Sequence, residues 1–145
     1  MNEVVILLKK YLEYPSVFFA GGIIYMIMEI IWRGFTHWSM GLCGGLCFLE
    51  IYLIEKHLKD IGLITKCILG SVFITGNEFI TGCLVNILLG WNVWDYSNVP
   101  LNIVGQVCLL FSFLWFLLCF PAFFIAKKIQ HFYSKTTPYK KNALQ

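Results

Sequence analysis

The chain has 145 residues, of which 59% are hydrophobic and only 13% are charged, and its formal net charge is +3. A soluble domain carries about a quarter charged residues, so the composition excludes an ordinary soluble globular protein. The mean hydropathy of +0.74 and repeated apolar runs of roughly 17–25 residues, the length that crosses a bilayer, indicate an all-α, multi-pass membrane protein.

Four apolar runs predict four transmembrane helices, over residues 16–32, 38–54, 65–89 and 101–126. Residues 33–37 join the first two helices as a tight antiparallel hairpin. Residues 55–60 form a short charged loop, and residues 90–100 form a polar, aromatic loop closed by Pro100. We therefore predict one four-helix transmembrane domain over residues 1–126 and a basic tail over residues 127–145.

All ten lysines fall on one side of this four-span topology. They precede the first helix, flank the loop between the second and third helices, and follow the fourth. Positive charge is enriched in cytoplasmic segments, so we expect both termini in the cytoplasm and Arg33 as the one basic side chain on the outer side. The tail lysines suit a lipid surface, and they are too few to predict a nucleic-acid partner.

Charged residues recur at helical spacing where the first two helices meet. Glu29, Arg33 and His37 are each four residues apart, which places Glu29 and Arg33 within ion-pair range on one helix face. Gly41 and Gly45 form a G-x-x-x-G pattern that permits close helix packing. Two interpretations stay open: a structural clamp that ties the hairpin together, or one wall of a binding site.

The third helix carries a polar stripe on an otherwise apolar surface. Ser71, Thr75, Glu78, Gly82 and Asn86 advance by four, three, four and four residues, so they share one face. Glu78 falls near the middle of the span, where an acid is expensive to bury and marks a functional candidate by default. A carboxyl group held only by neighbouring helices is the structural alternative.

Polar and aromatic residues also gather near the predicted outer boundary. Asn98, Asn102 and Gln106 recur once per turn at the start of the fourth predicted helix, and several tryptophans could form an interfacial aromatic belt. Together with the stripe, they predict a cavity that opens to the outside and narrows to Glu78. The candidate substrate-binding residues are Glu29, Arg33, His37, Glu78, Asn86, Trp91, Trp94, Asp95, Asn102 and Gln106.

Two long strings carry a family resemblance: EIIWRGFTHWSMGLCGGLCF and EFITGCLVNILLGWNVWDYSNVPLNIVGQVCLLFSFLW. They resemble the signature blocks of the family described as "Putative ABC-transporter type IV", the CmpB-like permeases, to which a group of animal transmembrane proteins is similar. The resemblance covers about residues 16 to 125. It implies a multi-pass protein of the bacterial plasma membrane and a permease, but no particular substrate.

Three functions remain open. The first is a permease subunit for a small cationic or zwitterionic solute; because the chain has no G-x-x-x-x-G-K-[ST] phosphate loop, it requires a homo-oligomer, a partner ATPase or another membrane subunit. The second is an intramembrane enzyme acting on a lipid-linked substrate, with His37 as base and Asp95 as its orienting group. The third is a structural or regulatory membrane protein. No nucleophile setting favours the enzyme, and no metal site or cofactor is predicted, because one histidine among scattered acids is a poor ligand set.

Overall fold

The computed structural model describes residues 3–135, with side-chain detail except at positions 3, 5, 6, 9, 10 and 135. Four helices, a short π-helical segment and two two-residue strands make up this part of the chain. They are α1 (Glu3–Arg33), α2 (Trp38–His57), α3 (Leu63–Gly82), the π-segment (Cys83–Leu88), β1 (Asn102–Ile103), β2 (Val107–Cys108) and α4 (Leu109–Lys135).

Four segments of these helices are long and apolar enough to cross a membrane: Tyr11–Arg33, Trp38–His57, Leu63–Leu88 and Leu109–Ser134. This confirms the prediction of an all-α, multi-pass membrane protein. The helices present Ile, Leu, Val and Phe side chains on their outer surfaces, as a bundle surrounded by hydrocarbon requires.

The second helix lies at the centre of the bundle. In its candidate span 56% of the residues are buried, against 17–28% in the other three. Its inner face packs Cys47, Ile51 and Tyr52 against Cys119 and Phe123 of α4. The small side chains of Cys47 and Cys119 let α2 and α4 approach closely here, where there is no aqueous hydrophobic effect to drive association.

Glycines set the close approach of α1 and α2. A Cβ atom on Gly22 would lie 2.5 Å from the carbonyl oxygen of Gly41, and one on Gly44 would lie 2.3 Å from Cβ of Tyr25. The tight packing predicted beside the charged hairpin is therefore present. Gly34, with φ +81°, supplies the left-handed residue that turns the chain after α1.

The predicted fourth helix was wrong over residues 101–108. This stretch forms a β-hairpin in which Asn102 pairs with Cys108 and Ile103 with Val107, and α4 begins only at Leu109. Pro100 precedes the hairpin, and Leu101, Val104 and Gly105 have positive φ values of 56°, 52° and 68°, which an α-helix does not allow. The supposed once-per-turn face of Asn98, Asn102 and Gln106 therefore does not exist.

Both terminal helices extend beyond their predicted ends on the lysine-rich side of the bundle. α1 begins at Glu3 and contains Pro15, and α4 continues to Lys135. Hydrogen bonds join them to their neighbours there: Ser16 Oγ lies 2.7 Å from the hydroxyl of Tyr133, and Lys56 Nζ donates to Glu13 at 2.5 Å. The predicted tail is thus helical in its first part, and residues 136–145, with two of its lysines, lie outside the described residues.

Candidate functional site

A cavity of about 810 Å³ lies at the end of the bundle opposite the lysines. The end of α1, the start of α4 and the segment 92–96 form its walls, and α3 contributes its floor. Its lining residues are Tyr25, Met28, Glu29, Trp32, Arg33, Phe35, Met40, Glu78, Asn92, Val93, Trp94, Asp95, Tyr96, Phe111, Leu114, Trp115, Leu117 and Leu118. The volume lies within the range of about 300–1,000 Å³ that is usual for ligand pockets.

Glu78 forms the deepest polar group of this cavity and is only 3% exposed. Its Oε1 accepts a hydrogen bond from the hydroxyl of Tyr25 at 3.1 Å, and its Oε2 accepts one from Nε1 of Trp115 at 2.7 Å. The two donor rings stack with their centroids 5.6 Å apart. None of the three ion pairs among the described side chains includes Glu78, so neutral donors alone hold this carboxyl group.

Arg33 and Glu29 pair on the α1 wall, as their spacing predicted. Nη2 of Arg33 donates to Glu29 at 2.5 Å, and Nη1 donates to the carbonyl oxygen of Val93 at 2.7 Å. The other oxygen of Glu29 accepts from Thr36 at 2.5 Å. The guanidinium also lies 4.3 Å from the ring centroid of Phe35. The pair therefore ties α1 to the loops on both sides, and the charge of Arg33 is already balanced.

One buried amide side chain, that of Asn86, holds the loop between α3 and α4 in place through hydrogen bonds. Asn86 accepts from the backbone N–H of Val93 at 2.6 Å and donates to Oε1 of Gln106 at 2.8 Å. The carbonyl oxygen of Gln106 in turn accepts from Nε1 of Trp94 at 2.8 Å. Asn86 lies in the π-segment, the kind of helix irregularity that often accompanies functional sites. Its contacts are structural: they hold Val93 and Trp94 against the cavity.

Asp95 lies on the exposed rim of the cavity, and its side chain stabilises the loop that contains it. Its Oδ1 accepts from the hydroxyl of Ser97 at 2.5 Å and from the backbone N–H of Ser97 at 2.8 Å. These two hydrogen bonds, the hydroxyl first, favour the ionised carboxylate and hold the pKa of Asp95 below its usual range. Asp95 therefore adds a negative charge at the mouth.

Half of the predicted site residues line the cavity and half do not. Those that line it are Glu29, Arg33, Glu78, Trp94 and Asp95; those placed elsewhere are His37, Asn86, Trp91, Asn102 and Gln106.

His37 caps the start of α2, where its Nδ1 accepts from the backbone N–H of Ser39 at 3.3 Å and lies 2.8 Å from the Ser39 hydroxyl. Its ring contacts those of Trp38 and Trp91 in tilted arrangements, with centroids 5.5 and 5.3 Å apart. Asn102 binds the carbonyl oxygen of Val99 and the N–H of Gly105 within its own loop.

Most of the aromatic lining was not among the predicted residues. Tyr25 and Trp115, which hold Glu78, come from α1 and α4, and Tyr96 and Phe111 stack at 4.7 Å near the mouth. A partial signal existed: Tyr25 shares a helix face with Glu29, and Phe111, Trp115 and Leu118 recur at helical spacing along α4. Which helix faces which could not be obtained from spacing within one helix.

The fold and this cavity define the class of protein. It is a four-helix, multi-pass integral membrane protein with a cavity that ends on an intramembrane acid. A family model described as "Putative ABC-transporter type IV" matches residues 16–144, and the chain belongs to this family. No curated protein and no solved structure has significant similarity to the chain. Among the described residues, no group of three or more His, Cys, Asp and Glu side chains could hold a metal ion.

Proposed function

We propose that this protein is a permease subunit that binds a cationic solute in the cavity above Glu78. The observation that carries the proposal is the setting of that carboxyl group. It is buried, lines a large cavity, and has neutral donors but no basic partner among the residues that the structure describes. Charged groups inside a membrane pair with one another or mark a substrate path. A cation in the cavity would supply the missing partner.

The remaining charges of the cavity favour the same sign. Arg33 is paired with Glu29 and bonded to a backbone carbonyl, so its positive charge is already compensated and attracts an anion only weakly. Glu78 and Asp95 leave the cavity with an acidic balance. The walls are rich in aromatic rings, Tyr25, Trp32 and Trp115 among them, and an aromatic face attracts a cation within about 6 Å of its centroid. A cation therefore suits the cavity better than an anion or a zwitterion.

The charges and the family support a biological setting for this cavity. If the lysine-rich end is cytoplasmic, the cavity opens outward from a bacterial plasma membrane. Four spans are few for a solute path within one chain, and the sequence carries no phosphate loop for ATP. We therefore propose that it acts as a homo-oligomer or with a partner ATPase or membrane subunit.

Counterflow in proteoliposomes tests this proposal without a partner, because exchange down a gradient needs no energy source. We expect liposomes with the full chain to exchange radiolabelled tetramethylammonium faster than empty ones. Glu78→Gln should reduce the exchange by about tenfold or more, equivalent to a lost interaction of ~1.4 kcal/mol.

The matched control for this experiment is Glu50→Gln. Glu50 is an intramembrane acid on α2 that also accepts from a neutral donor, the amide of Asn77 at 2.6 Å, but it does not line the cavity. The Glu50→Gln variant should exchange tetramethylammonium as fast as the wild type. Exchange equal in wild type and in empty liposomes contradicts transport by the chain without a partner, and exchange unchanged in Glu78→Gln contradicts the cation site.

The structure supports the two alternative functions less well than the cation site. An enzyme would need His37 and Asp95 to act together. Instead His37 is bonded to Ser39 and Asp95 to Ser97, in different parts of the chain, and His37 does not line the cavity. For a purely structural protein, the polar stripe should close on itself without a pocket. Its members do find partners, but Glu78 also borders the cavity, which helix association does not require.

A further inference from the structure

A second cavity, of about 200 Å³, continues from the first along the seam between α1 and α4. The two share Tyr25, Met28, Trp115 and Leu118 as lining residues. Below them the second cavity is bounded by glycine, isoleucine, cysteine, phenylalanine, proline and alanine residues, and none of the described residues that line it is charged. The seam thus has a polar upper part, with Glu78, and an entirely apolar lower part.

The seam is also open on its outer side. On α4 its lining runs from Phe111 to Ile125, roughly 21 Å of helix at 1.5 Å per residue. Leu117, Leu118 and Ile125 along this edge are 38–45% exposed, on a surface that faces hydrocarbon in a membrane. A molecule with an alkyl chain can therefore reach the seam from within the bilayer.

We propose that the occupant is a single-chain amphiphile with a cationic head group, which enters between α1 and α4 and places its head at Glu78 and its chain in the apolar cavity. This inference rests on the proposed cation site and refines it, since the solute would not be a small polar molecule. The long apolar seam favours an alkyl chain. The carboxyl group of Glu78, which forms none of the ion pairs described above, favours a positive head group.

The charge pattern separates this occupant from the common zwitterionic lipids. A phosphocholine head group carries a phosphate next to its ammonium group, so both charges would have to enter the cavity together. Arg33 is the only basic residue among the described residues that line the upper cavity. It is paired with Glu29 and bonded to the carbonyl oxygen of Val93, so its charge is already compensated. No described lining side chain then offers an unpaired positive charge to a phosphate.

Binding to the purified full chain in nanodiscs tests the head group. We expect dodecyltrimethylammonium to bind saturably, at least tenfold more tightly than dodecylphosphocholine, with tryptophan fluorescence and native mass spectrometry as the measurements. Glu78→Gln should weaken dodecyltrimethylammonium at least tenfold, whereas Glu50→Gln should leave it unchanged. Equal binding of the two amphiphiles, or no effect of Glu78→Gln, overturns the proposal.

A second variant tests the chain, because partition into the bilayer alone would favour any amphiphile. Ala122 lines only the lower cavity, so Ala122→Leu should fill it without touching Glu78. We expect this variant to bind dodecyltrimethylammonium at least fivefold more weakly than the wild type does, and to bind tetramethylammonium equally well.

The outcomes separate this inference from the proposed function. If Ala122→Leu changes the binding of neither ligand while Glu78→Gln weakens the binding of both, the proposal of an amphiphile is wrong and the cation site stands. If Glu78→Gln affects neither, both proposals are wrong. The helical circular dichroism and melting temperature of each variant establish that it is folded.

Discussion

At the scale of single residues, Val104 has a backbone conformation that its side chain disfavours. Its φ is +52°, and a β-branched residue in this region is a genuine outlier that costs on the order of 1–3 kcal/mol. It sits with Gly105 at the turn between β1 and β2, where two positive φ values are needed. Bonds from the Gln106 side chain to the Val104 carbonyl and from Tyr96 N–H to the Gly105 carbonyl hold the turn in place.

The first prediction is that Val104→Asn stabilises the protein. Asparagine adopts this conformation more readily, and Asn-Gly is the preferred pair for such a turn. Because Val104 is 67% exposed, little packing is lost, and we expect a gain of about 1 kcal/mol. The measurement is thermal unfolding in detergent. Ile103→Asn, an exposed neighbour without positive φ, is the control and should give no gain; a loss at Val104→Asn contradicts strain at this position.

The second prediction concerns Asp95 and pH. Its pKa is lowered in the folded loop by the two hydrogen bonds from Ser97, so the folded loop favours the charged form. This contribution to loop stability is complete above the ordinary pKa of 3.8 and disappears as the pH falls through the lower folded value. We expect protection of the Ser97 amide from hydrogen exchange, corrected for intrinsic rates, to stay constant from neutral pH to that ordinary value and to fall only below it.

Asp95→Asn is the control for the pH experiment. An asparagine oxygen can still accept from Ser97, but it does not ionise in this range. Protection in this variant should be independent of pH. Loss of protection in the wild type already above the ordinary pKa of Asp95 would show that another group governs the loop.

At the scale of elements, the contact between α1 and α2 depends on glycine. The third prediction is that Gly22→Ala destabilises the bundle by about 1–3 kcal/mol, since the new methyl group would lie 2.5 Å from the carbonyl oxygen of Gly41 and backbone atoms cannot swing aside. The measurement is the helical circular dichroism signal during thermal unfolding.

Gly76→Ala is the matched control for this contact. Gly76 lies inside α3, and nothing stands within 4 Å of a Cβ atom built there. Alanine should therefore be neutral or stabilise by up to about 1 kcal/mol through its higher helix propensity. Equal effects of the two substitutions would mean that packing between α1 and α2 does not depend on Gly22.

The same scale shows how far the fold could be predicted. Long apolar runs identify four helices because hydrocarbon leaves a backbone few other ways to satisfy its hydrogen bonds. The β-hairpin at 101–108 was missed because Leu101 and Val104 have left-handed backbones without the glycine that normally signals one. The chain there is apolar enough to continue a helix. The contacts of Gln106, with Asn86 of the π-segment and with Val104 inside the hairpin, favour the hairpin instead.

For the candidate site, residue chemistry was more informative than position. Glu78 was identifiable because an acid in mid-span is rare, and Glu29 with Arg33 because their spacing fixes an ion pair. The donors to Glu78, Tyr25 and Trp115, lie on two other helices. Their meeting depends on the rotation of each helix in the bundle, which the period of a single helix does not determine.

At the scale of the whole molecule, the cavity exists because α1 and α4 do not pack along their facing surfaces. Rings bridge the gap instead: Tyr25 stacks on Trp115, and Trp32 meets Phe111 at 6.5 Å. At the lysine-rich end the two helices do approach, through Ser16 and Tyr133. The bundle is therefore closed at one end and splayed at the other, so its orientation in the membrane decides which side the cavity serves.

The fourth prediction fixes that orientation. Asn98 lies in the exposed loop beside the cavity, and Lys59 lies in the exposed loop between α2 and α3 at the opposite end. If lysines mark the cytoplasmic side, a membrane-impermeant maleimide should label Asn98→Cys in intact cells and Lys59→Cys only after permeabilisation. The wild type sets the background, because five of its six cysteines are buried and Cys83 is partly so. The reverse pattern would place the mouth of the cavity and Asp95 in the cytoplasm, where the same acid would receive solutes for export.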